Sequence, residues 1–325
     1  MKFARAWIAA AVCSTAALSA HAQPRYPDKP VRIILPYSAG SGPDAVMRHV
    51  GEKLARAWGQ PVVVDNRPGA NGWIAIDAAR QAAPDAHTLV QLDNSHLALQ
   101  RHLYKRLPFD PSGDFEPVAP LFTTHFFVVV PASSRWTSVA ELIDAAKARG
   151  GALSYGSWGH GSVGHVGAAM LGAATGVQMM HVPFKELSQL YVAVGNGEVD
   201  WAFGTAGSAG PMHRAGRVRF LAIAAPQRLA AFADVPTVSE AGGPAAFELR
   251  GWVALLAPRG TPAAIVERIN TDVAAALSQA DVRERLSAFG FESWPASSTR
   301  ELATAIERDS RAFGDVARRV KISLD

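Results

Sequence analysis

Short apolar runs rich in β-branched residues alternate along this chain with stretches in which apolar residues recur every three or four positions. Residues 31–35 read as a buried strand, and after a loop of Gly, Ser and Pro the stripe Met47, Val50, Leu54 and Trp58 has helical spacing. Runs at 62–64, 88–92, 126–130, 153–155, 179–184, 199–203 and 220–224 continue the strand series. Helix starts are marked by Ser138 with Glu141, by Ser298 with Glu301, and by Thr261 as N-cap before Pro262. Strands separated by helices imply crossover connections, so the expected class is α/β, with mainly parallel sheets flanked by helices.

Two apolar segments look like places where the chain changes sheet: 126–130, closed by Pro131, and 252–257, closed by Pro258. As crossovers they make 126–250 a second lobe inserted into a first lobe built from 23–125 and 251–325. Two lobes joined by paired crossovers can hinge over a cleft. The chain shows no internal repeat or low-complexity linker that would argue for separate beads.

The beginning of the chain adds a location. Lys2 and Arg5 precede an apolar, Ala-rich stretch from 6 to 20, and Ala20-His21-Ala22 offers small residues at both recognition positions, so 1–22 reads as a secretory signal peptide and the expected compartment is the periplasm. No later stretch approaches the roughly 20 apolar residues of a membrane span. The one cysteine, Cys13, lies in the leader, which removes thiol catalysis and thiolate metal sites from the remainder. Setting Lys2 and Arg5 aside reduces the 32 basic residues to 30 against 28 acidic, a net charge of +2 without long runs of either sign. That balance offers no surface for nucleic acid.

Candidate chemistry concentrates in three strand-to-helix loops, at 36–44, 156–165 and 204–208. In open α/β folds such loops sit outside the carboxyl ends of the strands, where ligands bind. Glycines allow close backbone approach, and N–H groups at a helix start attract anions. A single loop of small residues is read equally well as a short turn, but three at equivalent positions favour a site. The second loop contains Gly159-x-Gly161-x-x-Gly164 with Glu186 downstream, which formally matches a dinucleotide fingerprint; Trp158 beside the first glycine and export both argue against it. Ser162 sits where a nucleophile would, yet His160 replaces the first glycine of Gly-x-Ser-x-Gly, and no nearby carboxylate orients His160 or His165 as a base. The ten histidines show no ligand spacing, so no metal and no cofactor are expected. Trp73, Trp201 and Trp252 are expected in the core.

Several motifs together resemble the Bug-type receptors of tripartite tricarboxylate transporters. They are Tyr26-Pro-x-Lys-Pro-Val-Arg-Ile-Ile, the Gly-rich loop ending at Asp44, Val64-Asp-Asn-Arg-Pro-Gly69, Leu103-Tyr-Lys-x-Leu-Pro-Phe-Asp110 with Asp114-Phe-x-Pro-Val118, His181-Val-Pro-Phe184, Gly197-x-Val-Asp200 and Asp234-Val-Pro-Thr-Val-x-Glu-Ala-Gly242. The resemblance implies a two-lobed periplasmic binding protein of Venus-flytrap type that holds a small organic carboxylate between its lobes. It implies no catalysis, a monomer, and an integral-membrane permease as partner. The alternatives are an exported serine hydrolase using Ser162 and a ligand-sensing receptor without transport.

Carried onto this sequence, the resemblance implies one wall from Tyr37, Ser38, Ala39, Gly40 and Asp44, with Asp44 also capping the helix. The other wall comes from Ser157, Trp158, Gly159, Gly161, Ser162 and His165, joined by Phe184 and Thr205. This chain departs from the family pattern at Ser38-Ala39-Gly40-Ser41-Gly42, at Phe184-Lys185-Glu186-Leu187 and at Gly204, where an Asp is usual. Trp158 also departs, and an indole in a Gly-rich loop is expected to pack on the opposite lobe or on a planar ligand.

Overall fold

The structure, a computed structural model, describes residues 26–295, 297–320 and 324; the leader expected at 1–22 lies outside these. The chain builds β1 (Val31–Leu35), α1 (Gly42–Trp58), β2 (Val62–Asn66), α2 (Trp73–Arg80), β3 (Thr88–Asp93) and β4 (Phe115–His125). It continues through β5 (Phe127–Pro131), α3 (Val139–Ala148), β6 (Ser154–Ser157), α4 (Val163–Thr175), β7 (Met180–Pro183), α5 (Leu187–Asn196), β8 (Trp201–Gly204), α6 (Ala206–Arg214) and β9 (Val218–Ile223). Then come β10 (Arg250–Pro258), α7 (Ala263–Leu277), α8 (Ala280–Ala288), β11 (Phe291–Ser293) and α9 (Thr299–Val320).

These strands form two sheets, in the orders β11-β4-β10-β3-β1-β2 and β7-β6-β8-β5-β9. The α/β class and the two-lobed architecture hold, but the sheets are mixed rather than mainly parallel. β1 runs parallel to β2 and β3, whereas β10 is antiparallel to β3 and β4, and β11 to β4. In the second sheet β6 is parallel to β7 and β8, while β5 is antiparallel to β8 and β9. The cause is the way the chain crosses. β4 passes into β5 with only Phe126 between them, so no helix returns the chain to the starting end and β5 enters the second sheet against β8; β10, coming back from the second lobe, likewise enters the first sheet against β3.

Each sheet is covered on both faces. Leu54 of α1, Ile269 of α7 and Leu286 of α8 pack with Ile33 on one side of the first, and Ile76 of α2 and Ile306 of α9 pack with Ile34 and Trp252 on the other. In the second sheet Leu142 of α3 and Leu171 of α4 meet Trp201, and Leu190 of α5 and Ala209 of α6 meet Phe127. Trp201 and Trp252 are core residues and Trp73 packs at the core's edge. The two crossings lie side by side: His125 pairs with Arg250, and Ala224 both donates its N–H to the Phe126 carbonyl (2.8 Å) and accepts from Leu249 (3.0 Å). The C-terminal helix bridges the halves, packing Val316 and Ala317 with Leu99 and Leu103 and with Val166 of α4.

The helix starts are mostly as expected. Ser298 and Glu301 close a reciprocal box, with Ser298 N–H on the carboxylate (2.8 Å) and Glu301 N–H on the hydroxyl (3.2 Å). Ser138 accepts Glu141 N–H, although the Glu141 carboxylate takes Thr137 rather than Ser138. Thr261 is not the N-cap: Pro262 holds that position, and the Thr261 hydroxyl bonds the Pro258 carbonyl (2.7 Å).

Candidate functional site

The first loop leaves β1 and enters α1 at Gly42-Pro43, with Ser38, Ala39 and Gly40 exposed at its tip. Asp44 was expected to cap α1, but Ser41 holds the N-cap position and Asp44 sits in the first turn. Its buried carboxylate reaches back to the N–H of Gly40 (2.8 Å), and also accepts from Asn66 Nδ2 (2.8 Å) and from Arg48 Nε (3.2 Å). Burial alone would raise its pKa; these donors outweigh burial and hold the carboxyl below its ordinary value. Asp44 is therefore a brace that fixes the loop. Gly40 needs this fixing because it turns the chain through φ +79°, a region other residues avoid.

Tyr37 is committed in the same way. Its hydroxyl donates to Asp93 (2.9 Å), whose carboxylate also takes Ser95 Oγ (2.6 Å) and faces His96 Nδ1 at 2.7 Å. Burial pushes the Tyr37 hydroxyl well up, while the His96 imidazole and the hydrogen bonds hold Asp93 well below the usual carboxylate range despite its own burial. With the side chains of Tyr37 and Asp44 turned inward, the loop presents backbone and the Ser38 hydroxyl.

On the second lobe, Ser157 ends β6 and its hydroxyl donates to Gly159 O (2.9 Å). Ser162 is the N-cap of α4, accepting His165 N–H (3.3 Å), and His165 Nδ1 accepts Gly161 N–H (3.0 Å). Thr205 caps α6 in a reciprocal box with Ser208. Phe184 lies over Gly156, where a Cβ would come within 3.4 Å of its ring, and donates its N–H to Ser157 O (2.8 Å). The Gly that replaces the familiar acid at 204 has a local cause: a Cβ there would lie 2.7 Å from the Tyr191 hydroxyl, which bonds Phe203 O (3.2 Å) and Ser208 Oγ (3.0 Å).

The two sets of loops meet. Ser38 Oγ donates to Glu186 across the lobes (3.1 Å), and Asn71 Nδ2 donates to the His160 carbonyl (2.8 Å) beside Tyr104 (3.3 Å). The starts of α1 and α6 also come together: a Cβ on Gly207 would lie 3.4 Å from Gly42 Cα and 3.2 Å from the Phe291 ring. Two helix N-termini from opposite lobes thus abut, with no Arg or Lys in either loop. Surface hollows of about 490 Å³ along α2 and about 380 Å³ along α5 lie away from this contact.

Trp158 packs within its own lobe rather than on the opposite one. Its indole stacks on Phe126, the residue between β4 and β5, with centroids 5.8 Å apart at 17°, and it fills the space beside Gly164, where a Cβ would come within 2.6 Å. Ser162 makes no bond to an imidazole among the described residues, so the hydrolase arrangement is not assembled there. The spacing of the histidines concealed a cluster: His181, on β7, stacks on His165 at 4.0 Å, and His160 meets both edge-on. Burial, aided by His160, pushes His165 down to about 4; burial, with His165 and His160, pushes His181 down to about 3. Sequence reading also missed the roles of Asn66, Asn71, Asp93 and Glu186. Asn66, Glu186 and His181 stood in quoted motifs, but none of those said which side chain each would meet.

A sequence profile of the "Tripartite tricarboxylate transporter family receptor" matches residues 46–321. A UPF0065 protein from the tcbD-tcbE intergenic region of Pseudomonas sp. (strain P51) is 34% identical over 267 residues, covering 82% of this chain and 79% of the relative. Among solved structures, Rpa4515 of R. palustris with adipate superposes with a TM-score of 0.87 at 30% identity, covering 92% of this chain and 99% of that one. MatC (Rpa3494) from Rhodopseudomonas palustris with bound malate gives a TM-score of 0.83 at 31% identity, covering 90% and 99%.

Proposed function

Since the chain belongs to the tripartite tricarboxylate transporter receptor family, we propose that it is a periplasmic receptor that closes around a small organic carboxylate and delivers it to a membrane permease. The observation that carries this reading is the meeting of the α1 and α6 N-termini across the cleft at Gly42 and Gly207. Helix N-termini hold anions through backbone N–H groups and the helix dipole, so a carboxylate can be bound without a cationic side chain. Loops 36–44, 156–165 and 204–208 contain no Arg or Lys, so backbone N–H groups and hydroxyls such as that of Ser162 are their neutral donors; the Ser38, Ser157 and Thr205 hydroxyls are bonded to Glu186, Gly159 O and Ser208 Oγ and reach a ligand only by exchanging those partners. The similar structures with adipate and malate support aliphatic dicarboxylates as the first ligands to test.

Closure is the signal. A ligand touching both lobes binds the closed form better than the open one and shifts the population toward it, and a permease can then distinguish loaded from empty receptor. Nothing in this cycle requires a covalent step, and Ser162 acts as a helix cap. The test is a thermal-shift screen with mono-, di-, tri- and aromatic carboxylates. A ligand at 100 times its dissociation constant adds about 2.7 kcal/mol of stability, a shift of several degrees. A screen in which no carboxylate raises the melting temperature, while a sugar or a cationic amine does, overturns the proposal.

A further inference from the structure

We propose that His160, His165 and His181 form a binding site for one divalent transition-metal ion of the zinc, nickel and copper class, at the edge of the second lobe. Each offers a ring nitrogen, and these three nitrogens lie within 4.8 Å of one another. Imidazole is the preferred donor for those metals, and three histidines with water in the fourth position form a recurring zinc set. Metal–nitrogen bonds of about 2.0–2.1 Å place tetrahedral ligand atoms roughly 3.4 Å apart, so the cluster must tighten by up to about 1.4 Å. The exposed His160 is placed to make that movement, because it stands between Gly159 (φ +119°) and Gly161 (φ +74°).

The surrounding hydrogen bonds prepare one ligand and hold back another. Ser157 Oγ gives its proton to Gly159 O and lies 2.7 Å from His181 Nε2, so it receives Nε2–H and leaves His181 Nδ1 with a free lone pair. An outer-shell acceptor that fixes the tautomer of a ligating imidazole is usual, ordinarily a carboxylate, carbonyl or water; here the Ser157 hydroxyl takes that place. His165 starts from the opposite state. Its Nδ1 already accepts Gly161 N–H, so it joins the metal only by exchanging that amide or by moving its ring proton. The site is therefore expected to be weaker than a preformed zinc centre, with His181 and His160 as its first two ligands.

This inference is independent of the carboxylate reading, because metal binding is measured without organic ligand. Tag-free protein is titrated with Zn²⁺ by calorimetry and with Co²⁺ by visible absorption. One equivalent is expected to bind, with the d–d bands of nitrogen-coordinated cobalt. His160→Ala, which removes an exposed side chain and so preserves folding, and His181→Ala should each weaken binding at least ten-fold. Ser157→Ala should weaken it as well, since outer-shell partners carry about 10- to 100-fold in affinity. Failure of the wild type to bind either ion, or unchanged affinity in His160→Ala, overturns the proposal.

Discussion

Replacing Asp44 by Ala should both destabilise the protein and weaken ligand binding. The side chain is almost wholly buried and accepts from Gly40 N–H and Asn66 Nδ2, both at 2.8 Å, and from the Arg48 guanidinium at 3.1–3.2 Å. Hydrogen bonds to a charged group contribute about 1.5–3 kcal/mol each, and Gly40 and Arg48 can recover part of theirs from water. A net loss of about 3 kcal/mol follows, or a fall of roughly 5 °C in melting temperature for a chain of this size. Asp44→Asn should lose a comparable amount, because its amide places two donors among donors. The carboxyl's folded pKa lies below its unfolded value of about 3.9, so its contribution is present in full above that pH and disappears as pH falls through the folded pKa. The gap between wild type and Asp44→Asn should therefore narrow on acidification below about pH 4. Thermal unfolding from neutral to acidic pH reads the first effect, and titration with the best carboxylate of the screen reads the second. A variant that melts within about 1 °C of wild type at neutral pH would falsify the idea that Asp44 braces the loop.

Gly207→Val places methyl groups between the starts of α1 and α6, where even a Cβ is 3.2 Å from Phe291; calorimetric titration should show at least ten-fold weaker carboxylate binding with apo melting little changed, and undiminished affinity would mean the lobes do not close there. Trp158→Ala removes an indole packed on Phe126 and Gly164, so it should lower stability by about 2–3 kcal/mol, less than for a fully buried Trp. Normal melting with lost affinity would instead return the indole to the ligand. Tyr191→Phe should cost about 1 kcal/mol through its bonds to Phe203 O and Ser208 Oγ, read by chemical denaturation, and a stability gain would contradict that assignment.

The strands and the three Gly-rich loops were legible because periodicity and glycine clustering are local signals. Strand direction was not: 126–130 and 252–257 look the same whichever way they run, and the sheets are mixed because β5 runs against β8 and β9 in the second and β10 against β3 and β4 in the first. The roles of individual loop side chains were also hidden. Asp44 reads as a helix cap from its neighbours, whereas Asn66, 22 positions away, helps fix it as a brace. The glycine at 204 looked like an unexplained departure until Tyr191 occupied its space. His181 stands in a separate motif from His160 and His165, and their clustering exists only after β7 pairs with β6.

The central claim is that a carboxylate is held between the lobes by neutral donors at the helix starts. A structure of the protein with a bound dicarboxylate tests it most directly. The account predicts carboxylate oxygens beside the Gly42–Gly207 contact, accepting from backbone N–H groups and hydroxyls of 38–44 and of 157–162 or 205–208, with no Arg in contact. A carboxylate gripped by a bidentate guanidinium, or bound to one lobe alone, would contradict it.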